Sequence, residues 1–136
     1  MKVLVDTCVW SQALRHKRPD KDTIRRLSDL IHDGRAVLIG PVKQELLSGI
    51  SHADQFEKLK DILSAFEEIS LRSIHFEKAA EFCNTCRSRG VQGSTIDFLI
   101  CAVAHVEHLT IFTIDNDFRH FAKHLPIQLL GEDDGS

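Results

Sequence analysis

The sequence predicts an α/β sandwich around a parallel sheet. Short continuous apolar runs alternate along the chain with stretches at helical spacing, the pattern of strand–helix units. The runs lack polar alternation, as expected for strands covered on both faces. With 136 residues, 43 % of them apolar, the chain is long enough for one domain with one core. We expect that domain over residues 1–130, and a solvated, disordered acidic tail over residues 131–136.

Lys2 to Val5 reads as the first buried strand, and Thr7 to Leu14 as the helix after it. Arg15-His16-Lys17-Arg18-Pro19-Asp20 is a polar, basic break. Lys21 to Asp33 returns to helical spacing, with Ile24, Leu27, Leu30 and Ile31 on one face. Gly34 fits a helix stop, and Ala36 to Ile39 a second buried strand. Pro41 suits the first turn of the next helix and Gly49 its end. Ala53 to Phe66 is amphipathic through Phe56, Leu59, Ile62 and Leu63, and Ile69 to Leu71 reads as a third short strand. Phe76 to Arg89 is helical, and Gly90 to Ser94 a flexible turn. Thr95 to Val106 is apolar nearly all round, which predicts a central buried helix. Leu109 to Ile114 is the clearest strand, Asp117 to His124 a short helix, and Ile127 to Leu130 a last strand.

The charge balance is 17 basic against 20 acidic residues, a formal net of −3. It neither announces nor excludes nucleic-acid binding, because clustered acids hide basic patches in the sum. No apolar run approaches the ~20 residues needed to span a bilayer. Asp6 interrupts the apolar start where a signal peptide would continue, so the expected location is the cytoplasm. Cys83 and Cys86 form a CxxC. It falls in mid-helix without a second ligand pair, so small packed side chains explain it better than zinc or redox chemistry.

Four acids stand where an acid is structurally awkward. Asp6 ends the run Val3-Leu4-Val5, and Asp115 follows Ile111 to Ile114. Asp97 opens the apolar helix, and Glu45 lies inside the Pro41 to Gly49 segment. In a parallel sheet, ligands gather at the carboxyl ends of the strands. Asp6 and Asp115 lie at such ends, while Glu45 and Asp97 lie in or close to the first turns of helices, so all four can converge on one sheet edge. Two unit charges ~4 Å apart repel by roughly 4 kcal/mol at an effective dielectric near 20. A hard divalent cation, Mg²⁺ or Mn²⁺, turns that repulsion into coordination. Each acid also has a bland explanation. Asp6 can cap a helix, the helix dipole alone can favour Asp97, Glu45 can be an exposed acid, and Asp115 with Asp117 can make a turn and cap. Four together at one edge is the less ordinary accident.

The segments Val5-Asp6-Thr7-Cys8-Val9-Trp10, Gly40 to Gly49, Ser94 to Ile100 and Thr113-Ile114-Asp115-Asn116-Asp117-Phe118 resemble, in order and spacing, the motifs of PIN-domain ribonucleases. More narrowly they resemble VapC toxins of toxin–antitoxin pairs. The resemblance runs from Lys2 to about Leu130. It implies a PIN-like three-layer α/β/α sandwich with a central, mainly parallel sheet, and a Mg²⁺- or Mn²⁺-dependent endoribonuclease. Asp6, Glu45, Asp97 and Asp115 would be its catalytic and metal-binding acids, with Thr113 and Asp117 supporting them. Many relatives carry Asn or Ser where this chain has Cys8, a difference that bears on a side-chain hydrogen bond at that point. The resemblance further implies a structured RNA substrate (tRNA, rRNA or mRNA), a small VapB-like antitoxin and a homodimer. Arg15, Lys17 and Arg18 form the densest cationic run and are candidate RNA contacts. A non-catalytic PIN-like module that binds RNA or protein is the alternative. A third reading, Asp6 as a phosphoryl acceptor, needs a lysine near the phosphate, and none follows the later strands in a suitable context.

Overall fold

In a computed structural model that describes residues 1–131, four strands form one all-parallel sheet in the order β3-β2-β1-β4. The chain runs β1 (Val3–Val5), α1 (Thr7–Arg15), α2 (Lys21–His32), β2 (Ala36–Ile39), α3 (Gly40–Leu47), α4 (Ala53–Leu63), β3 (Glu67–Ile69), α5 (Ser73–Ser88), α6 (Thr95–Glu107), β4 (Thr110–Phe112) and α7 (Asp117–Ala122). From β1 the chain steps outward to β2 and β3, then returns past β2 and β1 to place β4 on the other side of β1. With right-handed crossovers, the outward steps put α1–α4 on one face and the return puts α5 and α6 on the other. The result is the three-layer α/β/α sandwich the sequence implies. The direction of travel reverses between β1 and β4, and a crevice opens at the carboxyl ends of strands flanking such a reversal.

The core follows from this layering. β1 and β2 are buried along their whole length, and Phe98 to Ala104 of α6 are buried on every side, as their continuous apolar character predicts. α2 buries Thr23, Leu27 and Leu30, one face at i, i+4 and i+7. Ile31, expected on that face, is 37 % exposed, and Ile62 of α4 is 42 % exposed, because each lies one position off its buried stripe. Gly34 ends α2 at φ +70°, a conformation that side chains resist.

Two strands differ from expectation. The third strand is Glu67–Ile69 rather than Ile69–Leu71, in register with Val37 to Ile39. It is an exposed edge, and its glutamates are held by ion pairs to Lys2 and Lys43. Charged side chains on an edge discourage further pairing, and the same charges hide the strand from an apolar-run reading. Residues 127–130 form only an isolated bridge between Leu129 and Ile111. The clearest predicted strand, 109–114, pairs only over Thr110–Phe112. Cys83 and Cys86 lie on α5 as free thiols, in keeping with a packing role. None of the helices is long and apolar enough to cross a membrane, among the described residues. Beyond Gly131, the expected acidic tail lies outside the described residues.

One glycine matters for the site. A Cβ on Gly93 would come within 2.6 Å of the Phe121 ring and 3.1 Å of Phe98, both buried. Gly93→Ala should therefore force one ring off its rotamer and destabilise the domain by about 1–3 kcal/mol. Urea unfolding measures this, and a midpoint equal to wild type would contradict it.

Candidate active site

The four acids arrive from four different elements, and the same local rules that build those elements position them. Asp6 is the N-cap of α1; its Oδ1 accepts from Thr7 N–H at 2.7 Å, and its own N–H extends the sheet by donating to Phe112 C=O at 2.9 Å. Asp97 is the third residue of α6 and closes a capping box. Ser94 Oγ accepts from Asp97 N–H at 3.0 Å while Asp97 Oδ2 accepts from Ser94 N–H at 3.1 Å. Glu45 lies in the second turn of α3, exposed, and accepts from Thr7 Oγ1–H at 2.8 Å. Asp115 follows β4 in a turn closed by Asp117 N–H donating to Asp115 Oδ1 at 2.9 Å.

These four carboxylates line one cavity of about 270 Å³ at the carboxyl edge of the sheet, together with Thr7, Cys8, Ser11, Ser94 and Ile96. Among the described residues, no lysine, arginine or histidine lines it. Thr113 joins two of the acids: its hydroxyl accepts from Asp115 N–H at 3.0 Å and donates to Asp6 Oδ2 at 2.8 Å. The accepted bond fixes the direction of the donated one, so Thr113 orients the Asp6 carboxyl group toward its donors. Cys8 adds a weaker bond from Sγ to the same oxygen at 3.3 Å. The thiol thus supplies the side-chain hydrogen bond that the absence of Asn or Ser at this position put in question.

Electrostatics set this cluster apart from ordinary surface acids. Asp6 is only 6 % exposed. Burial is the main cause that raises its proton affinity above the usual carboxylate range, with the Asp115 charge adding to it and the Thr113, Cys8 and Thr7 donors opposing it. Burial likewise raises Asp97 most, Ser94 opposes, and the charges of Asp6 and Asp115 raise it further. Burial and then the Asp6 charge push the Cys8 thiol up to about 11, so it stays protonated at neutral pH. Asp6 and Asp97 thus feel the charge of Asp115, and Asp97 that of Asp6, with hydroxyl, thiol and backbone donors opposing.

Does this donor set fit a metal? All four principal donors are hard oxygens, which suit Mg²⁺ or Mn²⁺ rather than zinc. Among the described residues, no three Asp, Glu, His or Cys side chains are drawn into a ready-made ligand cluster. Asp6, Asp97 and Asp115 are instead each held on the cavity wall by a backbone N–H close in sequence, and Glu45 by the Thr7 hydroxyl. Among the described residues the wall carries four acids and no cationic side chain, a hard-oxygen donor set that a divalent cation would suit. Thr113→Val should loosen Asp6 and leave Asp115 N–H without its acceptor. Lost support of this kind typically weakens metal binding about 10–100-fold. A Mn²⁺ titration of the variant checks it, and unchanged affinity would contradict it.

Other sequence candidates sit elsewhere. Asp117 reaches Asp115 through its backbone N–H, while the residue lines a separate cavity with His120 and Phe121. Arg15 lines an apolar cavity with Leu14, Ile50 and Leu59, and neither Lys17 nor Arg18 lines the acid cavity. Thr7 and Ser94 went unselected. Ser94 was legible, since Ser-x-x-Asp before an apolar run is a capping-box signature. The Thr7–Glu45 bond spans 38 positions and has no local signal.

Comparison with known proteins agrees with this architecture. Residues 3–124 match the PIN domain family, and the chain belongs to it. No curated protein sequence matches significantly. Among solved structures, VapBC2 from Rickettsia felis bound to a DNA fragment from its promoter aligns with TM-score 0.76 at 22 % identity, covering 95 % of this chain and 96 % of that one. DNA-bound VapBC from Salmonella typhimurium aligns with TM-score 0.71 at 16 % identity, covering 95 % and 96 %. FitAcB from Neisseria gonorrhoeae gives 0.71 at 19 %, covering 93 % and 95 %. At these identities the likeness is one of fold.

Proposed function

We propose that the protein is a metal-dependent endoribonuclease and the toxin of a type II toxin–antitoxin pair. One observation carries the reading: Asp6, Glu45, Asp97 and Asp115 line a single cavity beside the β1/β4 reversal, with no cationic side chain among its lining residues. Membership of the PIN family and the shared fold of VapBC complexes support it.

In this reading Asp6, Asp97, Glu45 and Asp115 hold Mg²⁺ or Mn²⁺. When bound, the ion supplies Lewis-acid activation of water and stabilises charge on the phosphate and the leaving oxygen. The chain's own residues do the positioning. Thr113 and Cys8 orient Asp6, Ser94 orients Asp97, and Thr7 ties Glu45 to the start of α1. The substrate is structured RNA (tRNA, rRNA or mRNA). A small VapB-like antitoxin covers the acid cavity, the toxin acts as a homodimer, and its place of action is the cytoplasm.

Purified protein incubated with cellular RNA, with Mn²⁺ and with a chelator, tests the reading. Discrete cleavage products that require the metal are expected. RNA binding without cleavage in saturating Mn²⁺ and Mg²⁺ would favour the non-catalytic module instead.

A further inference from the structure

A second cavity, of about 340 Å³, adjoins the acid cavity and shares Asp115 with it; Thr113, which binds Asp6, lines it too. Arg26 from α2 and Arg119 from α7 both line it, although they are far apart in sequence. Asp22 binds Arg25 through one carboxylate oxygen and Arg26 through the other, at 3.2 Å for the latter, so one acid braces two guanidiniums; among the cavity's described lining residues, Arg26 and Arg119 stand against Asp22 and Asp115. The Arg26 contact is made through Nε. Its Nη1 lies against the chain at Gly131, 3.2 Å from where a Cβ there would stand. Ile114, 43 % exposed, and Leu130 add apolar surface, and Asn116 adds an amide.

We infer that this cavity receives the RNA nucleotide flanking the bond to be cut, with its phosphate on Arg26 and Arg119 and its base on Ile114 and Leu130. The inference rests on the nuclease reading and names the path of the strand. Among the described residues no cationic side chain lines the acid cavity, so a polyanion entering it meets arginine only alongside. The adjoining cavity offers arginines, which bind phosphate in a forked geometry. Its size falls within the range of small-ligand sites, and a base has an apolar face to lay on Ile114. In the sequence Arg119 stands with Lys123 as a candidate phosphate contact, while Arg26 reads only as the polar face of an amphipathic helix.

The test measures binding of uncut RNA in an Asp97→Asn background across a salt series. Arg26→Gln with Arg119→Gln should weaken binding at least tenfold. It should also flatten the salt dependence, by about 0.7 in log–log slope for each phosphate of a single strand that is no longer neutralised. Replacing Arg15, Lys17 and Arg18 with Ala should cost less. Arg26→Lys with Arg119→Lys should keep the slope while losing part of the affinity. Should the Gln pair fail to fold, Arg26→Gln alone carries the test, with a loss of about fivefold expected. Affinity and slope equal to the background in a folded Arg26→Gln protein would overturn the inference. So would competition by polyglutamate as strong as by RNA of equal length, which would assign the cavity to an acidic protein segment. The nuclease reading fails separately, if wild type shows no metal-dependent cleavage. Arginine-dependent RNA binding would still stand in that case.

Discussion

Asp6→Asn, Asp97→Asn and Asp115→Asn should each reduce metal-dependent RNA cleavage by at least about a thousandfold while leaving the fold intact. The size of the effect follows from what the metal supplies. Charge stabilisation in a phosphoryl-type transition state contributes several kcal/mol, and about 4 kcal/mol corresponds to a thousandfold in rate. Asparagine keeps the shape and one oxygen acceptor. At position 6 that oxygen can still take the Thr7 N–H and cap α1, and at position 97 it can still take the Ser94 N–H. The loss should therefore appear in kcat rather than in yield of folded protein. Gel-resolved cleavage kinetics at saturating Mn²⁺ provide the measurement. Wild-type kcat in the Asp6→Asn protein would remove that residue from the chemistry.

The second large effect is on stability, and its sign depends on the metal. At a free metal concentration of 100 Kd, binding to the folded state adds about 2.7 kcal/mol. For a domain of this size that is roughly 5–10 °C in Tm. Asp97→Asn should lose most of that gain. Without metal the order should reverse. Asp6 and Asp97 hold their protons more tightly in the folded chain than in the unfolded one, chiefly through burial. Between the ordinary carboxylate range and their raised values, the folded state binds more protons. Their contribution to stability therefore grows as pH falls through those raised values and turns unfavourable at neutral pH. Asp97→Asn removes that penalty and should melt roughly 1–3 °C higher than wild type in chelator at pH 7. The difference should shrink as pH falls through the raised values. A variant that melts lower in chelator and gains as much from Mn²⁺ as wild type would contradict both halves.

The convergence of the four acids on one cavity was more legible in the sequence than the exact bounds of the strands. Asp6 and Asp115 were legible because apolar runs mark buried parallel strands, and the residue after such a run stands at the carboxyl edge. Asp97 was legible from the apolar helix it opens. Glu45 was less so, since it lies in the second turn of α3 and reaches the cavity wall through Thr7, a partner 38 positions away. β3 was misplaced because an edge strand carries charge, here Glu67 and Glu68, where a buried strand carries apolar residues. Residues 127–130 have strand character but only an isolated bridge at Leu129, and apolar character alone does not make a ladder. Cys8 illustrates a different gap. Its type suggested a missing hydrogen bond, while its placement beside Asp6 Oδ2 restores one. The basic run at Arg15 to Arg18 is the densest in the sequence, yet the arginines beside the acid cavity are Arg26 and Arg119, brought together by tertiary structure.

In the proposed reading Asp6, Glu45, Asp97 and Asp115 together hold a divalent cation. Electron paramagnetic resonance of free Mn²⁺ during titration measures this without reference to any substrate. Wild type should remove Mn²⁺ from solution with a defined stoichiometry, and Asp6→Asn combined with Asp97→Asn should remove almost none. Equal depletion of Mn²⁺ by the folded double variant and by wild type would contradict the account.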